Sequence, residues 1–111
     1  MAMQVTRETV GESVVLTLEG SVDIYTSPEL RGELKAALEQ KVPRLVVDMK
    51  GVAFVDSSGL ATLIEALQRV NAYAGKLYLC SLSSAVLGVF QLANLDNIFQ
   101  IRPSREAALE N

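Results

Sequence analysis

The chain has no histidine and no tryptophan among its 111 residues, and it has one cysteine. Without histidine a Ser-His-Asp triad cannot be assembled within it, and the usual histidine-containing zinc sites are excluded too. General acid–base work by carboxylates or a lysine remains possible. A single cysteine rules out an intramolecular disulfide and fits a reducing compartment. Three tyrosines and three phenylalanines offer little for stacking on nucleobases. No cluster of basic residues stands out: Lys35, Lys41, Arg44 and Lys50 are separated by apolar or acidic positions, and the net charge is −3. That argues against a nucleic-acid partner and against a membrane surface. No apolar run reaches the roughly 20 residues of a membrane-spanning helix. Met1-Ala2-Met3-Gln4 lacks a basic stretch followed by an apolar one, so secretion is not indicated and a cytoplasmic location is expected.

Half the residues are hydrophobic, and they are spread along the chain. One domain over residues 1–111 is expected, with a core of its own. Residues 4–9 read as a strand, with a turn around Gly11 and Ser13, and Val14–Glu19 read as a second strand that pairs with it as a hairpin. Gly20-Ser21-Val22-Asp23 is expected to leave the sheet. Thr26-Ser27-Pro28-Glu29 marks a helix start, as a Thr26/Glu29 capping box or as Ser27 before a first-turn Pro28. Leu30, Leu34, Ala37 and Leu38 carry that helix to about Gln40. Arg44–Met49 has the continuous apolar centre of a strand buried on both faces. A long helix follows, with an expected apolar stripe of Leu60, Leu63, Ile64, Leu67 and Val70, and Gly75 as its terminator. Lys76–Ser81 is a strand, Ser83–Ala93 a short helix, Ile98–Ile101 an edge strand, and Pro103-Ser104-Arg105-Glu106 opens a last helix. The order β-β-α-β-α-β-α-β-α predicts an α/β fold with a mixed, mostly parallel sheet flanked by helices.

Asp56-Ser57-Ser58-Gly59 opens the long helix. Unpaired N–H groups and the macrodipole favour negative charge at such a position. A serine there can be a cap, a nucleophile or a phosphate acceptor. Three cap candidates in a row exceed what one cap needs. Gly59 in the first turn costs about 1 kcal/mol against Ala, which suggests close approach by a partner or ligand. The nucleophile elbow requires Gly two residues either side of the serine, and Val55 breaks that spacing; no Gly-rich run ends in Lys-Ser or Lys-Thr to hold phosphates. Phosphate on Ser57 would add about −1.5 to −2 charges at the helix start, changing an interface without changing the fold. Asp23 is either a turn residue or part of a functional loop at the sheet's end. Cys80 reads as core, and Glu29, Arg31, Glu33 and Lys35 as a solvated helix face.

Gly20-Ser21-Val22-Asp23, the capped helix with Leu30-Arg31, Val46-Val47-Asp48-Met49 and Phe54-Val55-Asp56-Ser57-Ser58-Gly59-Leu60 together resemble the STAS domain of bacterial anti-sigma factor antagonists. The resemblance spans essentially the whole chain. It implies a regulatory protein that is not an enzyme, with no cofactor, no catalytic residue and no metal. It implies binding to an anti-sigma factor that is also a serine kinase of the histidine-kinase-like ATPase type, phosphorylation at Ser57, and reversal by a PP2C-type phosphatase. Asp23 matches the family's acidic position beside the phosphosite, and Ser58 its second hydroxyl position. The expected contact set is Asp23, Asp56, Ser57, Ser58, Gly59, Ala61, Thr62 and Glu65. Ala61 departs from the Gly that many relatives carry there. Two other readings are a STAS adaptor subunit of a transporter or other signalling complex, without the switch, and a small enzyme using Ser57 with a carboxylate.

Overall fold

The computed structural model describes residues 3–110. Five strands, β1 (Gln4–Val10), β2 (Ser13–Val22), β3 (Arg44–Val55), β4 (Lys76–Cys80) and β5 (Gln100–Arg102), form one sheet in the order β1-β2-β3-β4-β5. The hairpin β1–β2 is antiparallel and the other neighbours are parallel. Helices α1 (Ser27–Glu39), α2 (Ser57–Ala72), α3 (Ser84–Leu92) and α4 (Arg105–Glu110) supply the crossovers and the end of the chain. The expected fold class and element order are the observed ones.

Alternation along the strands sorts the core. Leu16 and Leu18 of β2, Leu45, Val47 and Met49 of β3 and Leu77 and Leu79 of β4 pack with α1, α2 and α3. Val15, Val46, Tyr78 and Cys80 face the opposite way and meet Ala108 of α4. Arg105 fastens α4 to that second face. It donates to Glu8 at 2.9 Å and to the Thr17 hydroxyl at 2.8 Å, and its Nε lies 3.6 Å from the buried Asp48 carboxylate. Burial, and next the charge of Asp48, push the Cys80 thiol up to about 11. The folded protein is therefore expected not to react with a thiol reagent at pH 8, and to react once unfolded in urea. Labelling followed by mass measurement checks this.

Several boundaries differ from the expected ones. The turn is only Gly11-Glu12, with Gly11 at φ 60 as a two-residue hairpin loop with Gly first requires. Gly20-Ser21-Val22 stays in the sheet, and β3 continues past Met49 to Val55. The register shifts between Thr17 and Glu19 and again between Gly20 and Ser21, each placing an extra residue on β3. These bulges break the two-residue period, which is why Lys50-Gly51 looks like a strand end. β5 starts at Gln100, not Ile98: Ile98 and Phe99 both donate backbone N–H to Leu95 in a turn, and Phe99 packs edge-on to Phe90 at 5.6 Å.

The terminator of α2 is Ala74, not Gly75. Ala74 takes φ 64 while Gly75 N–H closes on Val70 at 2.9 Å, a Schellman end with Gly75 one position later. The inward stripe of α2 is also rotated. Gly59, Thr62, Leu63, Ala66 and Val70 are buried, while Leu60, Ile64 and Leu67 sit at its margin. The reason is α1, which packs Leu34 and Leu38 beside Thr62 and Ala66 on the side that bears the small residues.

Candidate functional site

The site is built where β2 and β3 end together. Val22 and Val55 are paired across the sheet, and Asp56 N–H donates to the Val22 carbonyl at 3.1 Å. Asp56 then caps α2: its Oδ1 accepts from Ser58 N–H at 2.9 Å and Gly59 N–H at 3.2 Å. The cap is thus Asp56, and it takes two amides of the first turn, those of Ser58 and Gly59, while the Ser57 N–H has no partner among the described residues. Negative charge added to Ser57 would find those donors already used. Of the free N–H groups expected to receive it, the one left is that of Ser57 itself.

Ser57 is exposed, and its hydroxyl makes no hydrogen bond among the described residues. Ser58 turns toward α1 and is half-buried; its carbonyl accepts from the Thr62 hydroxyl at 2.9 Å. Gly59 is buried, and its steric reason is internal. A Cβ there would lie 2.7 Å from Val22 Cγ1 and 3.0 Å from both the Val22 carbonyl oxygen and Val55 Cγ1. The close approach is by the chain's own sheet, so the reading of Gly59 as space left for a partner or ligand is corrected. Thr62 is buried under α1, Ala61 is exposed, and Glu65 pairs with Arg31 of α1 at 2.5 Å.

Asp23 follows Val22 directly and organises the loop into α1. Its Oδ1 accepts from Tyr25 N–H at 2.9 Å and Thr26 N–H at 3.0 Å. Its own N–H donates to the Thr26 hydroxyl, which in turn donates to the Ser21 carbonyl at 2.8 Å. The Asp23 carbonyl takes Ser27 N–H at 2.8 Å and the Ser27 hydroxyl at 2.6 Å. The Thr26/Glu29 capping box does not form. Thr26 holds the N-cap position of α1, but its hydroxyl is spent on Asp23 and Ser21, so it makes no side-chain cap bond.

Burial pushes the Asp23 carboxyl up, but the N–H groups of Thr26 and Tyr25 outweigh it and hold it below the usual carboxylate range. A pKa lowered on folding stabilises above the unfolded value of about 3.9, and the contribution is lost as pH falls through the folded one. Asp23→Asn is therefore expected to be less stable than wild type at pH 7, with the gap narrowing below about pH 4. Urea midpoints at both pH values check this; a gap independent of pH would assign the loss to geometry, not charge.

The two segments share a shallow depression, lined by Ile24, Ser27 and Pro28 on one side and Ser58, Ala61 and Thr62 on the other. Three exposed apolar residues at this end were not singled out in the sequence. Ile24 is 63% exposed, Tyr25 86% and Phe54 51%. The signal that could have found them is an Ile-Tyr pair inside a turn otherwise made of Asp, Thr and Ser. Among the described residues no group of His, Cys, Asp or Glu could hold a metal ion, and no helix is long and apolar enough to cross a membrane.

Comparison with known proteins converges on one family. The profile of the STAS domain matches residues 3–108. The chain is 33% identical over 92 residues to the anti-sigma F factor antagonist of Lysinibacillus sphaericus, covering 82% of this chain and 75% of that protein. An anti-sigma factor antagonist from Mycobacterium paratuberculosis superposes with a TM-score of 0.90 at 25% identity, over 97% of this chain and 92% of that one. The Bacillus antagonist SpoIIAA, solved unphosphorylated and phosphorylated, gives TM-scores of 0.74 and 0.75, each at 25% identity. The match covers 93% of this chain and 91% of the unphosphorylated one, and 96% and 97% for the phosphorylated one.

Proposed function

The chain belongs to the STAS domain family, and on that premise we propose that it is an anti-sigma factor antagonist whose binding is switched by phosphate on Ser57. The unphosphorylated form binds, in the cytoplasm, an anti-sigma factor that is also a serine kinase of the histidine-kinase-like ATPase type. That binding frees the sigma factor. Transfer of the ATP γ-phosphoryl group to Ser57 Oγ ends it, and a PP2C-type phosphatase restores it by hydrolysis. The protein is the substrate of both enzymes and performs no catalysis itself.

The observation that carries this reading is the state of Ser57: an exposed, unpartnered hydroxyl whose neighbouring amides are taken by Asp56. A phosphate there of about −1.5 to −2 charges finds the Ser58 and Gly59 amides already used. It stands at the surface beside the Asp56 carboxylate, so its charge is presented outward to whatever binds. The likeness of this fold to both forms of SpoIIAA supports a switch that leaves the fold in place. Within the contact set, Ser57, Ser58, Ala61 and Glu65 offer accessible atoms. Asp23 and Asp56 are half-buried beside them, and Gly59 and Thr62 shape the surface from beneath.

The test is phosphotransfer. The protein is incubated with ATP and each anti-sigma factor kinase of the source genome, and phosphate is mapped by mass spectrometry. Transfer confined to Ser57, and lost in Ser57→Ala, is expected. Transfer to another residue, or to none, overturns the assignment.

A further inference from the structure

We infer that the furrow between α1 and α2 is a docking track for an acidic segment of the same partner that covers Ser57. The inference rests on the reading above, because it assigns chemistry to that partner. The depression at the serine end is the first of three that share residues along the seam between the helices. The middle one, between Arg31, Lys35, Glu65 and Arg69, holds only about 10 Å³, because Leu34, Leu38 and Ala66 beneath it are buried. The seam opens again past Leu38 and Arg69 and ends near Lys41 and Tyr73. From Ala61 to Ala72 it is about 16 Å long, the length of three helical turns or of five extended residues.

The charge along this track is opposite to that of the whole chain. Arg31, Lys35, Lys41 and Arg69 line it, against only Glu39 and Glu65, in a protein of net charge −3. Only Arg31 is matched, by Glu65 at 2.5 Å; Lys35, Lys41 and Arg69 form no ion pair among the described residues. Glu29 and Glu33 lie on other faces of α1 and do not line the furrow. Unmatched cations on both banks of a closed seam fit a segment that lays carboxylates along it. They disfavour a basic one.

The experiment measures affinity for the anti-sigma factor kinase that phosphorylates Ser57, at low and at physiological salt. Wild type, Lys35→Glu/Arg69→Glu, the milder Lys35→Gln/Arg69→Gln, and Ser57→Asp are compared, each first shown by thermal unfolding to be folded. The charge reversal is expected to weaken binding by roughly 30-fold or more at low salt, and to flatten the salt dependence that wild type shows. The neutral pair should fall between, and Glu65→Gln, which frees Arg31, should bind more tightly than wild type. If the charge reversal binds with wild-type affinity and wild-type salt dependence while Ser57→Asp does not bind, the track is wrong and the switch stands. If wild type itself binds no such kinase, both fall.

Discussion

Gly59→Ala is expected to destabilise the protein by about 2 kcal/mol, although alanine is the better helix former by about 1 kcal/mol. The added methyl would meet Val22 Cγ1 at 2.7 Å and the Val22 carbonyl oxygen at 3.0 Å. A valine rotamer can yield, but the carbonyl cannot without cost, because it accepts the Asp56 N–H at 3.1 Å. Relief therefore requires α2 to lift from the end of the sheet, and the cap on Ser58 and Gly59 lifts with it. Gly32→Ala is the matched control. It has open space around it, so the same exchange should gain about 0.8–1 kcal/mol. Urea midpoints of the two variants should move in opposite directions, with the slope unchanged in both. A gain at both positions would mean that α2 is not pressed against Val22.

Ser57→Asp is expected to lower affinity for the anti-sigma factor at least about 100-fold, near 2.8 kcal/mol, with no loss of stability. An acidic residue in the first turn of a helix is favourable by about 0.3–1 kcal/mol, so the fold should tolerate it. The loss comes from the interface. Asp56 already fills the amides of Ser58 and Gly59, which leaves a second carboxylate desolvated and unpaired under a bound partner. Ser57→Ala should bind within a few-fold of wild type and accept no phosphate. One carboxylate carries less charge than a phosphate, so the phosphorylated protein, measured in the same assay, should bind no better than Ser57→Asp. Wild-type affinity in Ser57→Asp and in the phosphoprotein would remove charge as the signal.

How legible the molecule was in its sequence varies with the range of the forces involved. The strand at Val14, the strand at Leu45 and the helix after Asp56 were readable, because periodicity and capping preferences act over a few residues. The β2–β3 bulges were not: they answer to the pairing of Gly20 and Ser21 with Val52 and Phe54, some thirty positions away. The same holds for Thr26, whose hydroxyl looked like a cap and is used on Asp23 and Ser21 instead.

The sequence by itself determined the fold class, the serine motif at a helix start, and the exclusion of histidine-based catalysis. Each depends on residue identity and spacing alone. Only the tertiary structure decided what the motif's members do. Gly59 reads locally as an invitation to a partner, and packing shows it is occupied by Val22 and Val55. Asp56 and Ser57 read locally as equivalent caps, and the fold gives the amides to Asp56 and leaves Ser57 free. A close contact between the end of one strand and the start of a later helix is a three-dimensional fact. No local pattern encodes it, and it is what turns one of two adjacent serines toward α1 and the other toward solvent.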